Sequence, residues 1–189
     1  MSRPDPYQSM IFITLGTGVG GGVIINQSIV EGAHGVGGEI GHINVVDNGI
    51  QCNCGNTGCL ETVASATGIV RVAKERYKTP TNLIKDDLTA KKIFDLAKEG
   101  DAFALDVVGY VTDVLARAMQ AMALIIDPDA FVIGGGVAKA GTFLTDLLQE
   151  KFAKMAFAGT KHIPVELAIL GNNAGIYGAY HSVKKEVDA

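Results

Sequence analysis

Met10-Ile11-Phe12-Ile13-Thr14-Leu15-Gly16-Thr17-Gly18-Val19-Gly20-Gly21-Gly22-Val23-Ile24-Ile25 places two β-branched apolar runs on either side of a glycine cluster. Met10–Leu15 predicts a short buried strand. Val23-Ile24-Ile25 predicts a second strand, closed by Asn26-Gln27. Gly16 to Gly21 satisfies the spacing G-x-G-x-x-G, but that dinucleotide fingerprint requires a helix to follow. A strand follows here, and the Lys-Ser/Thr ending of a P-loop is absent. Both facts disfavour a dinucleotide-dependent oxidoreductase. A glycine hairpin between strands can instead offer successive backbone N–H groups to a phosphate, with the Thr17 hydroxyl as a further donor. A tight hairpin without a ligand is the competing reading of this segment taken alone.

Glycine is over-represented throughout: 24 of 189 residues, about 13% against a usual figure of about 7%. Glycine at this density marks tight turns or backbone close to a ligand. A second glycine-rich loop, Gly32 to Gly41, precedes a predicted short strand, Ile43–Val46. Gly134-Gly135-Gly136 follows the predicted buried strand Ala130–Ile133 and precedes a helix over about 141–156. In open α/β sheets ligands bind beyond the carboxyl ends of strands. Missing side chains there would let a purine or ribose lie against backbone, and the two glycine loops together favour a nucleotide cleft.

Helical spacing governs much of the rest. Residues 61–77 read as helical, interrupted near Thr67-Gly68, and a polar loop follows around Thr79-Pro80-Thr81-Asn82. A helix from about Ala90 to Glu99 stops at Gly100. Asp101 is a candidate N-cap for a long helix ending before Asp127-Pro128. Its apolar stripe is Ala104, Val107, Val108, Val111, Leu115, Ala118, Met119 and Met122, with Asp106, Asp113, Arg117 and Gln120 on the opposite face. The strand Val165–Leu170, the turn Gly171-Asn172-Asn173 and a final helix from Ala174 complete an α/β pattern.

Net charge −4 and a pI near 5.5 disfavour a nucleic-acid-binding surface, which concentrates Lys and Arg. The longest strongly apolar run, Ala121–Ile126, is far too short to cross a bilayer. Ser2-Arg3-Pro4-Asp5-Pro6 is followed by no apolar h-region. The expectation is a soluble, cytoplasmic chain that binds neither nucleic acid nor membrane.

His42, Cys52, Cys54 and Cys59 fall within eighteen residues, spaced His-x9-Cys-x-Cys-x4-Cys. Three thiolates and one imidazole suit a closed, structural zinc site. A disulfide would leave one of three cysteines unpaired, and a Cys-x-Cys bridge is strained; three unrelated thiols beside a surface histidine are the other reading. Glu39 and Glu61 flank this loop. Carboxylates accept strongly from sugar hydroxyls, and zinc on one nitrogen of His42 would leave the other to face a ligand. Solvation of Glu39 and helix capping by Glu61 are the bland alternatives.

Leu15–Gly22, then Gly37-Gly38-Glu39-Ile40-Gly41-His42, then Cys52-Asn53-Cys54-Gly55-Asn56-Thr57-Gly58-Cys59-Leu60-Glu61, together resemble the ROK family of sugar kinases and repressors, and within it the bacterial glucokinase branch. Ile133–Val137 and Leu170-Gly171-Asn172-Asn173-Ala174-Gly175 continue the likeness, which runs from Met10 to the C-terminus. The resemblance implies an actin-like (ribonuclease-H-like) ATPase lobe with a zinc-binding loop. It implies transfer of the ATP γ-phosphoryl, with Mg²⁺, to the 6-hydroxyl of glucose or a related hexose. By position it assigns Gly16, Thr17 and Gly18 to a phosphate loop, and Gly134, Gly135 and Gly136 to the adenosine side. Glu39, His42 and Glu61 match sugar contacts; His42, Cys52, Cys54 and Cys59 match zinc ligands. The family's first phosphate loop, of Asp-x-Gly-Gly-Thr type, and its Asn-Asp catalytic pair have no counterpart here, and Asn173 stands where aspartate is frequent. The expectation is a stub over residues 1–9 and a C-terminal kinase lobe over 10–189, lacking the N-terminal lobe and inactive alone. Homodimerisation is also implied. The alternative is the sugar-sensing module of a repressor of the same family.

Overall fold

The computed structural model describes residues 7–75 and 88–169. Within them, five strands form one mixed sheet: β1 (Met10–Leu15), β2 (Val19–Ile25), β3 (Ser28–Ile29), β4 (Ala130–Gly134) and β5 (Val165–Leu167), in the order β3-β2-β1-β4-β5. The first three strands pair antiparallel as a meander. β4 and β5 add in parallel to β1, with Ile13 beside Ile133 and Ile133 beside Leu167.

β1 behaves as its sequence predicts. Ile11, Ile13 and Leu15 are buried, while Met10, Phe12 and Thr14 on the other face are half-buried. β2 differs from the expectation: it begins at Val19, so Gly20, Gly21 and Gly22 are ladder residues and only Gly16–Gly18 make the turn. The reason lies in the neighbouring loop. A Cβ on Gly21 would stand 2.5 Å from the Ile40 side chain and 2.6 Å from the Gly38 carbonyl oxygen. The second glycine loop therefore packs backbone-to-backbone on β2. Ile43–Val46 is likewise not a strand, apart from an isolated bridge between Asn44 and Cys59. Val45 and Val46 both donate their N–H groups to the Gly58 carbonyl, which commits this segment to the cysteine loop rather than the sheet. The two-residue β3 carries no periodic signal to predict it.

Five α-helices are described: α1 (Glu61–Ala64), α2 (Ala66–Glu75), α3 (Ala90–Lys98), α4 (Ala102–Ile126) and α5 (Thr142–Met155). Two 3₁₀ turns, Ile40–His42 and Val137–Ala140, precede the cysteine loop and α5. The helix break falls at Ser65, not at Thr67-Gly68. Ser65 is extended, and its hydroxyl accepts from the Gly68 N–H at 2.9 Å, so it caps α2. Gly68 lies inside α2, where a Cβ would be 2.8 Å from the Thr62 carbonyl oxygen.

α4 is the central helix. Asp101 caps it through the Ala104 N–H at 2.8 Å, and left-handed Asp127 ends it before Pro128. The predicted apolar stripe is buried throughout, and so are Thr112, Val114, Ala116 and Ala123. Its buried face is wider than one stripe because α1, α2, α3 and α5 all pack on it. Lys151 of α5 reaches both the Asp113 carboxylate (2.6 Å) and the Gly109 carbonyl (2.9 Å), pinning α5 to α4. Phe131 of β4 meets Phe152 of α5 edge-on at 5.5 Å. Strand and helix thus share one apolar core. The expected loop around Thr79–Asn82, the turn Gly171–Asn173 and the final helix lie outside the described residues, as does Leu170. Among the described residues no helix is long and apolar enough to cross a membrane.

Candidate metal centre and adjoining clefts

The cysteine loop is closed by its own backbone. Cys52 donates its N–H to the Asn56 carbonyl at 2.7 Å, Gly55 to Cys52 at 3.0 Å, and Gly58 to Ile50 at 2.9 Å. The Asn44 side-chain amide adds a bond to the Thr57 carbonyl at 2.7 Å. Gly58 is left-handed (φ +71°), and a Cβ on it would sit 2.0 Å from the Val46 carbonyl oxygen. Glycine is the only residue that meets both requirements.

This closure gathers the four candidate ligands. One ligand atom each from His42, Cys52, Cys54 and Cys59 lies within 4.8 Å of the others. The Cys52 sulfur is 3.6 Å from His42 Nδ1, and the Cys54 and Cys59 sulfurs are 3.6 Å apart. A tetrahedral zinc with Zn–S near 2.3 Å has sulfur–sulfur edges of about 3.8 Å. Two of the ligand–ligand distances match such an edge, and the set as a whole, within 4.8 Å, has the chemistry and compactness to hold a zinc-sized ion. All three cysteines are free thiols. Burial pushes the Cys59 thiol up to about 12, reinforced by its neighbours Cys54 and Cys52. A thiolate at that depth needs a cation to hold it. Cys54 is exposed, and the Asn56 backbone amide lowers its pKa.

With Nδ1 of His42 turned to the sulfurs, Nε2 faces out, 3.8 Å from Glu39 Oε2. The 3₁₀ turn Ile40–His42 sets this direction because Gly41 is pressed on β2: a Cβ there would be 2.1 Å from the Val19 carbonyl oxygen. Glu61, the first residue of α1, bridges two regions. Its Oε2 accepts from the Val19 N–H at 3.2 Å, and its Oε1 lies 3.8 Å from the Cys52 sulfur. It also accounts for Gly18, since a Cβ on that residue would meet Glu61 Oε2 at 2.2 Å.

The Gly16–Gly18 turn rests on the α1–α2 corner. Ala66 N–H donates to the Gly16 carbonyl at 2.8 Å, and the Thr67 hydroxyl to the Thr17 carbonyl at 3.0 Å. A polar cleft of about 370 Å³ opens there, lined by Thr17, Gly18, Asn53, Glu61, Ser65, Thr67 and Arg71 among others. Asn53, Ser65, Thr67 and Arg71 are not singled out by the sequence reading. The one signal available was the four-residue spacing of Thr67 and Arg71, which puts them on one helix face.

Of the second triplet, only Gly136 borders open space. A Cβ on Gly134 would strike the Phe12 ring at 2.7 Å, and left-handed Gly135 (φ +85°) lies against the Leu15 carbonyl at 2.5 Å. Gly136 instead lines an apolar cleft of about 240 Å³ with Val137, Ala140, Ala66, Ala90 and Phe94. The two clefts flank the α1–α2 corner, where Ala66 borders one, and Ser65 and Thr67 the other.

The sheet order, with its antiparallel hairpins at one edge and parallel crossovers at the other, is the actin-like fold of sugar kinases. The chain belongs to the ROK family, whose pattern matches residues 3–186. It is 44% identical over 191 residues to a glucokinase of Halalkalibacterium halodurans, covering 96% of this chain and 58% of that protein. It superposes with a TM-score of 0.83, at 36% identity, on the crystal structure of a ROK family glucokinase from Streptomyces griseus in complex with glucose and AMPPNP, covering 94% of this chain and 61% of that one. A ROK family transcriptional regulator homologous to the E. coli MLC protein aligns with a TM-score of 0.74 at 27% identity, over 85% of this chain and 41% of the regulator. The chain thus spans less than two thirds of the length of each of these proteins.

Proposed function

We propose that residues 10–189 form the C-terminal, zinc-containing lobe of a glucokinase that transfers the ATP γ-phosphoryl to the 6-hydroxyl of glucose. The observation that carries this reading is the double contact of Glu61. One carboxylate touches the Val19 amide of the glycine hairpin and the Cys52 thiol of the cysteine loop, so these two regions abut at a single side chain. The two glucokinases described above, at 44% and 36% identity, are more similar to the chain than the regulator at 27%. That ranking favours the kinase over a repressor's sugar-sensing module.

Glu39 and Glu61 accept hydrogen bonds from sugar hydroxyls, and His42 Nε2 faces a third polar contact. Zinc, held by His42 Nδ1, Cys52, Cys54 and Cys59, supplies a structural cross-link and fixes the imidazole tautomer. Thr17 and Gly18 offer backbone N–H groups and a hydroxyl to the polyphosphate of Mg-ATP, and Gly16 shapes the turn by donating its own N–H to the Gly18 carbonyl at 2.9 Å, while Gly136 leaves its cleft open to adenosine. Gly134 and Gly135 act one step removed, bringing β4 against Phe12 and Leu15 so that Gly136 reaches the cleft edge.

General-base catalysis needs a carboxylate within hydrogen-bond reach of the attacking hydroxyl. This reading places that residue in the N-terminal lobe, together with the remaining sugar contacts and the rest of a homodimeric enzyme. The 189-residue chain alone is expected to contain one zinc, to bind glucose weakly and to show no turnover. Metal analysis and a coupled ADP-release assay on the purified chain test this. Glucose-dependent ADP release from the chain by itself would overturn the division of labour between the lobes.

A further inference from the structure

Arg71 is the cation of the polar cleft. It projects from α2 one turn beyond Thr67 and shares the cleft wall with Thr17, Gly18 and Glu61. Its single hydrogen bond among the described residues runs from Nη1 to the Thr62 carbonyl at 3.4 Å. Among those residues it forms no ion pair. A guanidinium carries five N–H donors in a rigid fork, so most of this one is unengaged. Arg71 is half-buried, and the group lies beside the turn assigned above to phosphate. The Glu61 carboxylate is occupied with the Val19 amide and disfavours an anion at its own wall, leaving the α2 wall as the place for negative charge.

We propose that Arg71 binds the polyphosphate of the nucleotide, its fork donating to non-bridging oxygens while the Thr17-Gly18 turn holds the other side. The inference rests on the kinase reading above and extends it to a residue that no motif in the chain marks. Bidentate donation to phosphate is the geometry guanidinium serves better than ammonium. A purely architectural Arg71, closing α1 at the Thr62 carbonyl, is the alternative to be separated.

Titration calorimetry of the protein with ATP, inorganic pyrophosphate and adenosine, comparing wild type with R71Q and R71K, separates them. R71Q is expected to weaken ATP and pyrophosphate by about tenfold to a hundredfold and to leave adenosine unchanged. R71K, which keeps the charge but not the fork, is expected to recover part of that loss. Equal losses for ATP and adenosine, or no loss for either, would overturn the role of Arg71 while leaving the nucleotide reading intact. Wild-type protein that binds neither ATP nor adenosine would overturn both. If R71Q does not fold, R71K alone decides: weakened pyrophosphate with unchanged adenosine supports the role, and unchanged pyrophosphate removes it.

Discussion

The cysteine loop over residues 43–60 and the β1–β4–α4 half of the molecule reach order by different means. The second is held by apolar burial: Ile11, Ile13, Leu115, Met119, Phe131 and Ile133 are all essentially solvent-free. The loop contributes few such side chains. Its shape depends on backbone hydrogen bonds, on left-handed Gly55 and Gly58, and on four side chains converging on one point. Burial of many small contacts degrades gradually, whereas a loop closed round an ion depends on each ligand. The two regions should therefore fail separately.

Removing a ligand is the sharpest way to separate them. Cys59→Ser is expected to reduce bound zinc from one per chain to under about a tenth, because a four-ligand site rarely tolerates loss of a buried thiolate. Hydrogen exchange should then rise across residues 43–60 and stay low in β1 and α4. Uniform loss of protection would show that the two regions are not independent. In the other half, Phe131→Ala removes a ring packed on Phe152 and should destabilise by about 3–5 kcal/mol. Denaturant unfolding measures this, and zinc content in the folded fraction should be unchanged.

Glycine tests the boundary between packing and ligand. Gly135→Ala meets both a left-handed backbone and the Leu15 carbonyl, and should destabilise by about 1–3 kcal/mol. Gly136→Ala, with nothing within 4 Å of the added Cβ, should leave the unfolding midpoint within about 0.5 kcal/mol of wild type. It should also weaken adenosine binding by intruding on the cleft. Asp101→Ala, which removes the α4 N-cap, is the smallest effect expected, about 1 kcal/mol by denaturant unfolding.

The same contrast explains what the sequence made legible. β1, α3, α4 and α5 follow from apolar patterning and, for α4, from the Asp101 cap, since these elements bury side chains in a regular rhythm. The start of β2 at Val19 did not follow, because Gly20–Gly22 have no side chains to alternate; their pairing is dictated by Gly38 and Ile40 packing from another loop. Ile43–Val46 has the composition of a strand but is captured by the Gly58 carbonyl. At the site, His42 and the three cysteines were legible from residue type and spacing, and the structure brings their ligand atoms together. Arg71 and Ser65 were not, because a polar residue on a helix gains meaning only from what the fold places beside it. At Gly134 and Gly135 the fold leaves no room for a Cβ beside Phe12 and Leu15, a packing demand that the glycine triplet by itself does not display.

The cysteine loop, Glu39, Glu61 and the glycine hairpin are proposed to form one site joined through Glu61. Calorimetric titration of the zinc-loaded protein with glucose, repeated after removal of zinc by chelation, tests it most directly. Measurable glucose binding is expected with zinc present, lost on chelation and restored when zinc is returned. Glucose binding that is indifferent to zinc would contradict it.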